Sequence, residues 1–393
     1  MKKNKLLIFV SNINAALLAA SKLLENKNKI NDVSIIIEEG YSDGKIKFKV
    51  KDQYSKQIKK IFLSIGFKNI YFYDRPDNYE TFSLKNFIYI YQIYKRNKKY
   101  KEEINNFIKS KKINLNSVKD VWFSNDLISK IFLNNFDCSK SYFFHGLGDI
   151  MLLKKKNLFF NLIDKFKFII NRYFYKIYYL YNIETVKFYS LYTNNYDKKI
   201  FDLPSKIKNN FYKIILARLS KKYNKLIFKK KIVLITDNII LHRLDAYKAK
   251  KFSKRYVQHL IIFFKENKIK ISDCIFLFKW KVSVPGFHKK IFKNEFKINK
   301  LMIKDINENL NDYIPLEFLI PNLKPDFVMS YYSTINFFIK DIFPKIKIVN
   351  TFKIYKSVEK DYLKYHRDNQ LDKLLENSEK IKELVNVPYD LKI

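Results

Sequence analysis

The chain has 393 residues, more than one ordinary domain needs and enough for two, each with its own core. Apolar residues make up 47% and aromatics 17%, which excludes a disordered polymer despite a net charge of +39. Six glycines and eight prolines exclude collagen-like and Gly-rich propeller architectures, and two cysteines, Cys138 and Cys274, exclude a disulfide framework or a cysteine-based zinc site.

A charge of this sign favours anionic partners: nucleic acid, anionic lipid headgroups, or acidic sugars and phosphates. It also fits a composition crowded with Lys, Asn, Ile, Phe and Tyr, as in proteins from AT-rich genomes. Arginine is scarce beside lysine, and bidentate base recognition leans on arginine, so nucleic acid is not the expected partner. The basic start, Met1 to Lys5, leads into an apolar run that breaks at Ser11-Asn12, with no small-residue cleavage site after it. No stretch of about 18 uncharged apolar residues occurs, so no transmembrane helix is expected. The expected location is the cytoplasm, with peripheral contact at an anionic inner membrane.

In chain order, Lys5–Val10 reads as a buried strand, Ala15–Leu24 as a helix and Val33–Ile37 as a strand ending at Glu38-Glu39-Gly40. Gln57–Ile65 reads as a helix, Asn69–Tyr73 as a strand and Lys101–Ser110 as a helix. Val121–Phe123 and Ser141–Phe144 are strands, the second ending at His145-Gly146-Leu147-Gly148-Asp149. Such alternation predicts an α/β fold, a parallel sheet wrapped by helices, with ligands at the carboxyl ends of its strands. From Lys154 to Lys230, nineteen basic side chains face four acidic ones. This stretch is expected to be a helical excursion of the first domain, and Phe166–Tyr181 has the pattern of a basic amphipathic helix suited to an anionic membrane surface.

A second alternating region opens with the strand Lys231–Ile235. The helix Phe252–Lys265 follows, then a strand at Cys274–Phe278 with the loop Lys279–His288. Further on come a strand at Phe327–Met329, the polar run Ser330–Thr334, a helix over Ile335–Ile339 and a strand at Ile346–Asn350. The predicted division is residues 1–228 as an N-terminal domain with the basic aromatic insert at about 154–228, residues 229–357 as a C-terminal domain, and residues 358–393 as a helical tail.

Four places carry candidate chemistry. The segment Phe144–Asp149 concentrates two of the six glycines beside a histidine and an acid. Gly146 and Gly148 permit close backbone approach of a ligand, and His145 or Asp149 can accept a proton. At Ser330, Ser333 and Thr334, hydroxyls meet free N–H groups at a helix start, a phosphate site that needs no Gly-rich loop. Glu317, in an apolar setting seventeen or so residues before Thr334, is placed for a ribose diol. In the loop after Phe278, Lys281 and His288 can neutralise a leaving phosphate. Glu38-Glu39-Gly40 is an acid pair that can house a base. No metal-ligand spacing, Walker motif or dinucleotide fingerprint occurs.

Taken in order, Leu6–Ala20 with Ser11 and Asn12 at its turn, Phe144–Asp149, Ile314-Pro-Leu-Glu317 and Pro325–Thr334 resemble segments of the bacterial polysialyltransferases and sialyltransferase-like glycosyltransferases of capsule and lipooligosaccharide synthesis. The resemblance implies a GT-B architecture, two Rossmann-like domains facing a cleft. It also implies a CMP-activated sialic acid donor, a glycan or glycolipid acceptor, inversion at the anomeric carbon, and no required metal or other cofactor. By position, Ser333 and Thr334 would hold the CMP phosphate, Glu317 the ribose, and His145 or Asp149 would act as base. The family's His-Pro pair is absent here: Lys281-Val282 stands at the comparable strand end, with His288 shortly after.

Overall fold

The computed structural model describes residues 5–26, 32–39, 49–74, 90–124, 138–143, 166, 169, 186–190, 205–206, 209–221, 229–236, 244–280, 286–306, 314–330, 336, 339, 342–351, 354 and 385–386. The chain divides into two compact units, Met1–Ile215 and Leu216–Ile393.

Unit 1 is built on seven strands: β1 (Lys5–Val10), β2 (Asp32–Glu39), β3 (Ile70–Asp74), β4 (Val118–Phe123), β5 (Ser139–Phe143), β6 (Val186–Ser190) and β7 (Ser205–Lys206). Their spatial order is β3-β2-β1-β4-β5-β6-β7, and every pairing is parallel. Chain order reverses direction between β1 and β4, which makes that gap the topological switch point. Helix α1 (Ile13–Glu25) starts at Asn12, whose side chain accepts a hydrogen bond from the Asn14 N–H at 2.8 Å. Its Ala and Leu residues are buried on nearly every side. Helices α2 (Lys49–Leu63) and α3 (Ile90–Ser110) are amphipathic. Ile104 and Ile108 of α3 pack with Leu7, Phe9, Ile36 and Val121 of the sheet.

Two expectations are corrected here. The basic stretch after Lys154, expected to be helical, contributes strands β6 and β7 to the sheet. In β6 the run Val186-Lys-Phe-Tyr-Ser190 is β-branched and aromatic, and that preference for a pleated surface overrides the surrounding lysines. Helix α3 also begins at Ile90 rather than near Lys101, because its first three turns are aromatic and basic and lack the expected apolar stripe. Of the amphipathic stretch Phe166–Tyr181, only Phe166 and Ile169 are described; both are helical and about half exposed.

Unit 2 holds β8 (Lys231–Ile235), β9 (Cys274–Phe278), β10 (Ile303–Asp305), β11 (Phe327–Ser330), β12 (Lys347–Asn350) and β13 (Val385–Asn386). The order β10-β9-β8-β11-β12-β13, all parallel, is the 3-2-1-4-5-6 winding of a Rossmann-like sheet. Helix α4 (Asn209–Ser220) precedes it, and the described crossover helices are α5 (Ala246–Glu266), α6 (Gly286–Ile298) and α7 (Leu316–Leu323). Helix α5 starts at the N-cap Asp245, which accepts from the Lys248 N–H, and buries Ala249, Phe252, Tyr256, Leu260 and Phe263 at helical spacing. The core between α5, α6 and the sheet is aromatic, with Phe292 in ring contact with Phe252, Tyr256, Phe278, Trp280 and Phe296. The tail over 358–384 lies outside the described residues, but β13 beyond it pairs with β12.

Helix ends show how a chain poor in glycine terminates its helices. After α2, Gly66 adopts φ +94° and Phe67 N–H reaches back to the Phe62 carbonyl. The same paired closure follows α3, α5 and α6, but lysine takes the left-handed position: Lys112 (φ 54°), Lys268 (φ 55°) and Lys300 (φ 56°). Ile113, Ile269 and Leu301 then bond back to Ile108, Phe264 and Phe296. Each is a Schellman closure made without the residue that adopts it most easily.

Candidate functional site

In a doubly wound sheet every strand ends, and every crossover helix begins, on the same carboxyl edge. In unit 2 this edge gathers Thr236 from β8, Lys279 and Trp280 from β9, Asp305 from β10, Glu317 from the first turn of α7, Ser330 from β11 and His288 from the first turn of α6. The switch point lies between β8 and β11. There the Thr236 N–H and hydroxyl both donate to the Met329 carbonyl, at 3.0 and 3.2 Å, which fastens the end of β8 beside Ser330. Ser330 is 0% exposed. Its backbone carbonyl accepts from the Thr351 N–H, yet its hydroxyl has no hydrogen-bond partner among the described residues. Leaving a buried hydroxyl unmatched costs about 1–3 kcal/mol.

Lys279 extends β9 by one residue, donating its N–H to the Ile235 carbonyl at 3.4 Å. The side chain is 8% exposed. Burial drives the amine down to about 8, against the opposing pull of the Glu317 and Asp305 carboxylates. Glu317 is half-buried in the first turn of α7. Burial raises its carboxyl above the usual carboxylate range, opposed by a backbone N–H at the helix start and by Lys279. Trp280 fixes the backbone after Lys279: its ring stacks on Phe278 at 4.9 Å and meets Phe292 edge-on at 5.7 Å. A cation on a rigid strand end, next to a carboxylate, is suited to meeting an anionic group that arrives with hydroxyls attached.

His288 is buried, and its Nε2 donates to the Leu244 carbonyl at 2.6 Å, with no partner for Nδ1 among the described residues. The bond joins the residue before the α5 N-cap to the first turn of α6. It places His288 on the carboxyl edge, with one nitrogen committed to holding that edge together.

Of the residues singled out from the sequence, Ser330, Glu317 and His288 fall on this edge. Ser11 and Asn12 fall on the corresponding edge of unit 1, Ser11 buried and Asn12 acting as the α1 N-cap. Beside them at the end of β2, Glu38 is buried, and Glu39 accepts a hydrogen bond from the Ser55 hydroxyl at 2.6 Å. His145, Gly146, Gly148, Asp149, Lys281, Ser333 and Thr334 lie outside the described residues. Sequence reasoning missed Thr236 and Lys279. The signal for Lys279 was a lysine directly after an unbroken apolar strand and before a tryptophan; β9 ends at Phe278, and Lys279 follows it directly. Among the described residues no group of three His, Cys, Asp or Glu side chains is placed to hold a metal ion, and no helix is long and apolar enough to cross a membrane.

No known protein family matches the chain, and no curated protein matches it. Among solved structures it is similar to the sialyltransferase from Photobacterium damsela, at 10% identity over 98% of this chain and 82% of that one, with a TM-score of 0.49. Residues 113–497 of the Photobacterium damselae sialyltransferase, its GT-B domain, align at 13% identity over 97% and 99% of the two chains, with a TM-score of 0.49. The UDP-GlcNAc 2-epimerase from Methanocaldococcus jannaschii aligns at 12% identity over 88% and 83%, with a TM-score of 0.46. This chain's own strand orders establish what can be said of its fold: two parallel, doubly wound α/β units in series.

Proposed function

We propose that the chain is an inverting glycosyltransferase of GT-B type that moves sialic acid, or a related acidic sugar, from a CMP-activated donor to a glycan or glycolipid acceptor. One observation carries the reading: at the switch point of unit 2, an unmatched buried hydroxyl and a buried lysine stand at the ends of the two strands flanking β8. In this scheme the Ser330 hydroxyl, with Ser333 and Thr334 after it, binds the donor phosphate. Glu317 accepts hydrogen bonds from the ribose diol, and Lys279 lies against the charge that grows on the phosphate as the anomeric C–O bond breaks. Lys281 and His288, the candidates of the segment after β9, would help neutralise the leaving phosphate. A proton acceptor takes the acceptor hydroxyl's proton as its oxygen attacks the anomeric carbon. His145, Asp149 and the buried Glu38 are the candidates. The products are CMP and the extended glycan, and the scheme asks no metal of the protein. The enzyme would work in the cytoplasm, at the inner face of a membrane.

A second reading, the same reaction type with a different nucleotide sugar, is favoured by one observation: the 279–288 segment lacks a His-Pro pair. The experiment that separates the two is thermal denaturation of the purified chain with CMP-sialic acid and with UDP- and GDP-sugars, since a bound donor stabilises the folded state. It is paired with release of free nucleotide on adding acceptor. CMP-sialic acid alone should raise the midpoint, and Lys279→Ala should cut turnover by roughly 10²-fold or more. A rise with UDP- or GDP-sugars alone would establish the second reading, and no shift with any donor would overturn both.

A further inference from the structure

The start of α5 and the start of α6 form one corner of unit 2, joined by the His288–Leu244 hydrogen bond and by the contacts of Phe292 with Phe252 and Tyr256 behind it. Two large rings stand out from this corner. Tyr247 is 76% exposed and Phe287 is 49% exposed. Along the first turns of α5, Lys248, Lys250, Lys251 and Lys254 are exposed, and Lys290 is exposed on α6. From Ala246 to Lys265 the chain carries no acidic residue, and the N-cap Asp245 is the one carboxylate at that helix start.

This placement works against the helix. Lysines in a first turn oppose the positive end of the helix dipole, where acidic residues stabilise, so α5 keeps its cations at a cost to itself. Exposed aromatics amid lysines match the needs of a bilayer surface. Tyrosine and phenylalanine rings settle at the headgroup level, and lysine stems lie along the apolar boundary with their ammonium groups among the phosphates. The exposed cations on α5 are all lysines, whose point charge suits headgroups, whereas arginine's planar fork suits bases.

We infer that the α5–α6 corner is a membrane-docking surface that seats unit 2 on an anionic lipid bilayer, with Tyr247 and Phe287 entering the interface inside a ring of lysines. This deepens the proposed placement at a membrane face, on which it rests, and does not depend on which donor is used.

The test is flotation of the full chain with phosphatidylcholine vesicles, with and without phosphatidylglycerol. The unmodified protein should float with anionic vesicles and stay behind with neutral ones. Reversing Lys248, Lys250, Lys251 and Lys254 to Glu should weaken flotation by about tenfold or more. Reversing the scattered, exposed Lys98, Lys109, Lys229 and Lys270 changes net charge equally and should weaken it far less. Tyr247→Trp should show a blue-shifted emission on adding anionic vesicles, and this readout holds even if a multiple variant folds poorly. Equal losses in the two charge-reversed sets would overturn the inference, because diffuse charge would then suffice. So would an unshifted tryptophan, or tighter corner-dependent binding to an RNA homopolymer than to vesicles.

Discussion

At Lys279, burial sets a pH dependence whose sign is fixed. The amine falls from 10.5 in the open chain to about 8 in the fold, chiefly through burial. Between those values the unfolded chain holds a proton that the folded chain has released, so stability rises with pH across that window and is level on either side. The full span corresponds to about 3 kcal/mol, a cost of carrying the charged amine inside that is present at neutral pH. Urea unfolding of the purified chain should therefore show a midpoint climbing from pH 8 to pH 10, and Lys279→Met should remove most of that climb. An anion bound beside the amine favours its charged form, so adding the donor should flatten the slope in the unmodified protein. A slope untouched by Lys279→Met would place the lysine in water. Ser330 gives a second signature at the same edge, with two effects of opposite sign. Ser330→Ala removes an unmatched buried hydroxyl and should raise the stability of the unliganded protein by up to about 1 kcal/mol, while weakening donor binding. A merely structural serine would lose stability and leave donor affinity alone.

At the scale of elements, the buried strands were legible because parallel strands covered on both faces read as unbroken apolar runs: Lys5–Val10, Lys231–Ile235 and Cys274–Phe278 are β1, β8 and β9 to the residue. Strand β10 has three residues and β13 two, too short for any period to show, and β6 was hidden by the basic stretch around it. The site divides the same way. Ser330, Glu317 and His288 could be named from local pattern. Lys279 could not, since a lysine after a strand reads as solvated until the fold shows it buried. Helix ends carry a test of their own. Lys112, Lys268 and Lys300 hold a left-handed conformation that costs a residue with a Cβ about 1–2 kcal/mol, partly offset by glycine's greater freedom in the unfolded chain. Lys268→Gly and Lys300→Gly should each stabilise unit 2 by about 0.5–1 kcal/mol in denaturant unfolding. A loss in either would mean that the lysine stem, and not the closure, holds that helix end.

For the whole molecule, 77 basic side chains against 38 acidic ones make self-repulsion a global term. Charges repel across about 30 Å at 0.01 M salt and about 8 Å at 0.15 M, so modest salt removes most of the long-range repulsion and leaves close pairs such as Lys22–Glu25, at 2.8 Å, largely intact. The fold should therefore melt at a higher temperature as sodium chloride rises through that range, the reverse of a protein held together by surface ion pairs. The same salt should release the chain from anionic vesicles, because attraction between the α5 lysines and headgroups is screened over the same distance. Two readouts from one titration thus move oppositely: melting temperature up, vesicle-bound fraction down. If binding instead persisted at high salt while the melting temperature rose, apolar insertion of Tyr247 and Phe287 would outweigh the lysines, and Tyr247→Ser with Phe287→Ser would then be the pair that releases the protein. A melting temperature that fell with salt would show that the excess charge is already neutralised in the folded chain, leaving no unscreened field to draw it to an anionic surface.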